Sequence, residues 1–115
     1  MNEQAKEIST LDRVIHEPAR LMIVALLSAI EQADFLYMLH ETALNKGTLS
    51  SHLARLEEAG YVEITKTYRG KVPQTLLRLT PAGRKAFNQY RKLLKGVLTP
   101  GQASSQINRG DKEGI

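Results

Sequence analysis

Apolar positions along this chain recur first at helical spacing, then alternate, then return to helical spacing. Leu11, Val14 and Ile15 fall at i, i+3 and i+4, which predicts a helix from Thr10, capped by Ser9 or Thr10. Pro18 disfavours its continuation through His16 and Glu17 and suits the first turn of a second helix. That helix carries Leu21, Met22, Val24, Ala25, Leu26, Leu27 and Ile30, apolar nearly all round, as a central buried helix would be. Asp34 reads as the N-cap of a third helix, "FLYMLHETAL", with Phe35, Leu36, Leu39 and Ala43 inward. "LNKG" follows as a turn, and a fourth helix begins at Lys46, capped by Asn45 and stopped by Gly60.

The period then changes to two. "YVEITKTY" and "QTLLRLT" alternate, with Val62/Ile64 and Leu77/Leu79 as inward pairs, and "RGKVP" between them makes a β-hairpin with a basic tip. Thr80-Pro81 is a strong helix start, and the helix over about 81–98 places Ala86, Phe87, Tyr90, Leu93, Leu94 and Val97 on one stripe. Arg84, Lys85, Arg91, Lys92 and Lys95 take its opposite face. Residues 1–9 read as a flexible polar extension and 99–115 as a disordered tail without periodicity, leaving 10–98 as the domain.

The fourth helix departs from the usual surface helix. With Leu49 set at 0°, Leu53 falls at about 40° and Leu56 at about 340°, a narrow apolar stripe. The face opposite holds Gly47, Ser50, Ser51 and Ala54, with Arg55 at its margin, where long charged side chains would be ordinary. A helix laid in a DNA groove needs short side chains where its backbone comes closest, hydroxyls for phosphates or base edges, and a longer cation at the edge. Asn45, Lys46 and Thr48 stand at its first turn, where free amides and the helix dipole favour phosphate. Lys66, Arg69, Gly70 and Lys71 form the basic part of the hairpin, suited to phosphates that position a protein without reading sequence. A merely solvated helix and a charged hairpin would leave the turn before and the strands after without a reason.

Composition narrows the classes. The 115 residues suffice for one modest core, and with no tryptophan and 5% aromatic residues that core must be aliphatic. Absence of cysteine removes disulfides, thiolate metal sites and cysteine nucleophiles. His16, His40 and His52 lack metal-ligand spacing, so no metal or other cofactor is expected. Gly70-Lys71 lacks the rest of a phosphate-binding loop, and no nucleophile, base and acid suggest themselves, so no enzyme is expected. The apolar run "LMIVALL" is too short to span a bilayer and the first ten residues lack an apolar core, so no membrane partner is expected and the expected location is cytoplasmic. The net charge of +4 is unevenly spread: −4 over residues 1–43, +3 over 44–78 and +5 over 79–115, pointing to an anionic partner for the second half.

The segments "LDRVIHEPARLMIVALL", "GTLSSHLARLEEAGYVEI" and "LRLTPAGRKAF" resemble the small winged helix-turn-helix transcriptional regulators of bacteria and archaea. This group includes MarR-like and ArsR-like repressors. The match is best to compact winged-helix DNA-binding regulators with a Leu-Ser-x-His-Leu-x-x-Leu-Glu-x-x-Gly helix, and it covers roughly residues 11–95. ArsR-like metal sensors commonly use cysteines, from which this chain departs. The resemblance implies a mainly α fold with a small β-hairpin (α+β), in the order α-α-α-α-β-β-α. It implies a dimeric transcription factor with the fourth helix in the major groove of double-stranded DNA and the wing along the backbone. For the last helix two destinations stand open: packing inside the chain, or a two-fold interface joining Phe87, Tyr90, Leu93, Leu94 and Val97 to Leu11, Val14 and Ile15. The resemblance favours the homodimer. The expected function is a sequence-specific regulator, most commonly a repressor. Its alternatives are a winged helix that binds protein instead of DNA, and a regulator answering an unknown small-molecule effector at the dimer interface.

Overall fold

The computed structural model describes residues 10–99; the expectations for residues 1–9, and for the tail after Thr99, lie outside them. Helix α1 spans Pro18–Ser28, strand β1 Ala33–Asp34, helix α2 Phe35–Thr42 and helix α3 Lys46–Glu58. Strands β2 (Val62–Arg69) and β3 (Val72–Leu79) form the hairpin, and α4 (Pro81–Leu98) closes the order. Leu11, Ile15, Ile23, Val24, Leu27, Met38, Leu49, Leu53, Leu56, Val62, Leu77, Leu79, Phe87 and Tyr90 bury into one core cluster with Ala33. The winged-helix α+β class is the one expected.

Three details differ. The helix expected from Thr10 is instead a set of turns over residues 10–17. Asp12, not Thr10, organises them: its Oδ1 accepts from the amides of Val14 (2.8 Å) and Ile15 (3.3 Å). The residue before a proline is driven out of the α region, and Glu17 is extended at φ −153°, ψ 128°. There it caps α1, accepting from the amide of Arg20 at 2.7 Å.

Second, Ala33–Asp34 adds a third strand, antiparallel to β3 with Ala33 opposite Leu77, so the sheet order is β1-β3-β2. Two residues carry no periodicity from which to read a strand. Third, α2 turns Met38 and Thr42 inward with Phe35 and Leu39 beside them, whereas Leu36, expected inward, is 64% exposed and Ala43 is exposed. At about 100° per residue, Leu36 and Ala43 fall to one side of the stripe that Met38 and Thr42 centre. Ala43 ends the helix in the left-handed conformation, φ 58°.

The caps of α3 and α4 agree with expectation. Asn45 Oδ1 accepts from the Thr48 amide at 2.8 Å, and Thr80 Oγ1 from the Gly83 amide at 2.9 Å, with Pro81 in the first turn. At the far end of α3, Gly60 (φ 81°) donates to Glu57 O and Tyr61 donates to Leu56 O, the paired bonds of a Schellman motif. The hairpin register joins Val62 to Leu79 and Ile64 to Leu77, the inward pairs expected. Its tip is tighter than "RGKVP" suggested, because Val72 and Pro73 belong to β3 and only Gly70-Lys71 turn. Gly70 has φ 67° and Lys71 a negative φ, as a type II′ turn requires. Pro73 lies beyond the short reach of β1, where β3 is an edge and tolerates a missing N–H.

Candidate nucleic-acid interface

Helices α2 and α3 are joined by Ala43, Leu44 and Asn45. The Leu49, Leu53 and Leu56 side chains are buried, so α3 is locked at one rotation about its axis. That rotation turns Lys46, Gly47, Ser50, Ser51, Ala54 and Arg55 to solvent, while Thr48 is half-buried. Asn45 is exposed, but its side-chain oxygen is taken by the cap; only its amide nitrogen is left for a ligand. A Cβ on Gly47 would meet only Asn45 Oδ1, at 3.6 Å, an ordinary contact. The domain itself therefore does not require a glycine there.

The hairpin continues this surface. Residues of even number on β2 and odd number on β3 share one face. At the base that face is core: Val62, Leu77 and Leu79 are buried. Toward the tip it leaves the core through Ile64 and Thr75 to the exposed Lys66, Tyr68 and Pro73. Lys66 and Thr75 meet Ser50, Ala54 and Glu57 of α3 across a hollow of about 290 Å³ floored by Phe35, Leu53 and Ile64. The fold thus brings Lys66 to the recognition face.

Arg69 and Lys71 stand apart from that hollow, at the tip with Gly70. Arg69 lies on the opposite face of the hairpin, within electrostatic range of Asp34. The Asp34 carboxyl is held below its usual range first by the Gln74 side-chain hydrogen bond (2.9 Å), then by backbone amides and the charge of Arg69. Arg55 pairs with Glu58 at 3.5 Å, a half-exposed contact of little strength. Two features escaped the sequence reading: Tyr68 and Val72, 69% and 65% exposed, bracket the basic tip with apolar surface. Their strand alternation was legible; that the strands outrun the core was not.

The histidines are placed apart. His16 Nδ1 lies 2.8 Å from the Tyr90 hydroxyl, and His40 is exposed beside Glu41. His52 faces α1, with Nδ1 3.2 Å from Arg20 Nη1 and 3.9 Å from Glu17 Oε1. Arg20 also donates to the Val14 carbonyl at 2.6 Å, so one side chain ties the N-terminal turns to α3.

The expected dimerisation set is divided by the fold. Leu11, Ile15, Phe87 and Tyr90 are buried within the chain's own core, and Val14, Leu93 and Leu94 pack partly against it. Of the eight residues expected at a two-fold interface, Leu11, Ile15, Phe87 and Tyr90 are at most 6% exposed and have little area to offer a second copy. Their area is taken up within the chain, where His16 of the N-terminal turns meets Tyr90 and α1 packs on α4. The outer end of α4 keeps apolar surface, with Val97 half-buried and Leu98 69% exposed.

Helices α2 and α3 with their three-residue turn, followed by a two-stranded wing, define a winged helix-turn-helix domain. The chain belongs to the winged helix DNA-binding domain family, whose model matches residues 19–98. It is 37% identical over 79 residues to the uncharacterized protein MJ0432 of Methanocaldococcus jannaschii, covering 68% of this chain and 85% of that one. Among solved structures it is similar to a transcriptional regulator homologue from Pyrococcus horikoshii OT3, with TM-score 0.77 and 29% identity over 84% of this chain and 95% of that one. The transcriptional repressor BigR from Xylella fastidiosa is similar with TM-score 0.61 and 28% identity, over 81% and 88% of the two chains. Domain and neighbours together make this a DNA-binding regulator in type. No helix among the described residues is long and apolar enough to cross a membrane.

Proposed function

We propose that this chain is a sequence-specific transcriptional regulator that acts as a homodimer and represses by occupying its operator. The outer face of α3 would lie in the major groove, with Gly47, Ser50, Ser51 and Ala54 closest to the bases. Lys46 and the free amides of the first turn would meet one phosphate, and Lys66, Arg69 and Lys71 others along the backbone. One observation carries this reading: a Cβ at Gly47 has room within the domain, so the smallness of that face answers to something outside it. The acidic or apolar face of a protein-binding winged helix is missing from Lys46 to Arg55.

Two copies would meet through the outer end of α4, where Leu98 continues the stripe of Leu94 and Val97. A dimer presents two recognition helices to a palindrome, and one alone reads few base pairs. Sedimentation equilibrium tests this part: a monomeric wild type, or a Leu98→Asp variant that stays dimeric, would refute it.

DNA binding is tested by titrating the chain's own upstream region and an unrelated duplex against salt. Affinity should fall steeply between about 50 and about 200 mM salt, with the log–log slope shallower by about two in Arg69→Ala/Lys71→Ala. Failure to bind either duplex at low salt sinks the proposal.

A further inference from the structure

The most concentrated charge on the molecule lies away from α3 and the wing. Along α4, Arg84, Lys85, Arg91, Lys92 and Lys95 are all exposed, and the helix holds no acidic residue. At 100° per residue these five fall within an arc of about 120°, centred nearly opposite the stripe of Ala86, Phe87, Tyr90, Leu93, Leu94 and Val97. From Arg84 to Lys95 they span about 17 Å of helix axis, over which one DNA strand carries about five phosphates.

These cations are available. Among the described residues, Arg55 pairs with Glu58 and Arg78 with Glu63, but no carboxylate pairs with any of the five. Arg84 donates to the Ser28 carbonyl at 3.2 Å, and the Arg91 guanidinium lies 5.5 Å from the Phe87 ring centroid; neither neutralises charge. Two shallow hollows open on this face, and Asn88, whose amide can donate to an anion, lines both with Lys92. No exposed aromatic or branched aliphatic residue interrupts the arc. A protein partner needs such anchors at the centre of an interface, and a phosphate backbone does not.

Its placement separates this face from the recognition surface. Helices α3 and α4 bury their apolar stripes in the same core, and no residue of α3 or the wing lines either hollow on the basic face. Helix α4 starts at the base of the hairpin, where Val62 pairs with Leu79, and the wing tip is eight residues, about 26 Å, away. One straight duplex seated on α3 and the wing therefore leaves the basic face of α4 uncovered.

We propose that this face binds the phosphate backbone of a second DNA segment, so that the protein bridges two duplexes. The proposal goes beyond regulation at a single operator. Its test uses the full chain, a biotinylated duplex held on beads and a fluorescent second duplex in solution. Wild type should carry the second duplex onto the beads. Lys85→Ala/Lys92→Ala/Lys95→Ala, with its thermal unfolding unchanged, should occupy the bead duplex within about twofold of wild type. It should carry at least about tenfold less of the second, with a salt slope shallower by about three. The corresponding triple Lys→Arg variant should restore capture, because charge is what the backbone reads.

Undiminished capture by the alanine variant would mean that the two recognition helices of a dimer do the bridging, and would overturn the proposal. So would a wild type that occupies the bead duplex without recruiting a second, or one whose α4 face holds poly-glutamate and not DNA. Ser51→Glu, added to the triple alanine variant so that α4 cannot hold DNA, checks the recognition surface separately. If it leaves single-duplex binding intact, the groove reading fails while the α4 result stands.

Discussion

Glycine to alanine within a helix ordinarily stabilises, by about 0.5–1 kcal/mol, because it restricts the unfolded backbone. At Gly83 the structure reverses the sign. Gly83 is buried in the first turn of α4, and a Cβ there would stand 2.3 Å from the Tyr61 carbonyl oxygen and 2.8 Å from Leu79 Cδ1. Leu79 can change rotamer, but the Tyr61 oxygen is backbone and already accepts the Thr80 amide at 2.9 Å. Thr80 Oγ1 also donates to Gly60 O at 2.7 Å, so the exit of α3 and the start of α4 are joined at this one junction. Relief needs a backbone shift approaching 1 Å, for which overpacking costs of about 1–3 kcal/mol are typical. The helix-propensity gain offsets only part of that. Gly83→Ala should therefore lower stability by about 1–2 kcal/mol, or roughly 5–15 °C in thermal midpoint for a domain of this size. Calorimetry or circular-dichroism melting of both proteins measures it. An unchanged or raised midpoint would refute the reasoning, since it would mean that α4 moves off the hairpin base without cost.

Gly47→Ala is the contrasting case: with room for the Cβ, stability should rise by up to about 1 kcal/mol while operator affinity falls, measured by melting and by fluorescence anisotropy. Stronger DNA binding would show that this turn does not approach the groove. Ala43→Gly should stabilise by about 1 kcal/mol in urea unfolding, because Ala43 is exposed and holds φ 58°, which costs an L-residue but not glycine. The Tyr61 phenol is pushed up to about 12, first by its hydrogen bond to Asp12, then by burial and the Asp12 charge. A raised folded value means that this contribution is whole below the unfolded value of 10.0 and is lost as pH climbs through the folded one. Tyr61→Phe should thus be less stable than wild type by about 1–2 kcal/mol near neutral pH, with the gap closing above about pH 10. A gap that widens in alkali would count against the Asp12 contact.

Much of the candidate site was legible from local pattern. The leucine stripe of α3 set which residues face out, Asn45 and Gly60 set where the helix starts and stops, and Gly70 set the hairpin turn. Each is decided within a few residues by hydrogen bonding or backbone sterics. What periodicity missed had causes both near and far along the chain. Leu11, Val14 and Ile15 have helical spacing, yet Asp12 and the extended Glu17 hold them as turns. His52 meets Arg20, thirty-two residues earlier, a contact that no local pattern announces.

The sequence by itself determined the element types after Pro18 other than the two-residue β1, the small outer face of α3 and the pairing of a cationic face with an apolar stripe on α4. These follow from periodicity and capping, which act over one or two turns. Only the tertiary structure decided that Phe87 and Tyr90 are spent inside the chain, and that Lys66 sits beside Ser50 and Ala54 while Arg69 does not. It alone showed that Gly83 is required and Gly47 is not. Those are questions of which surfaces meet, and two surfaces far apart in the chain leave no shared pattern to read.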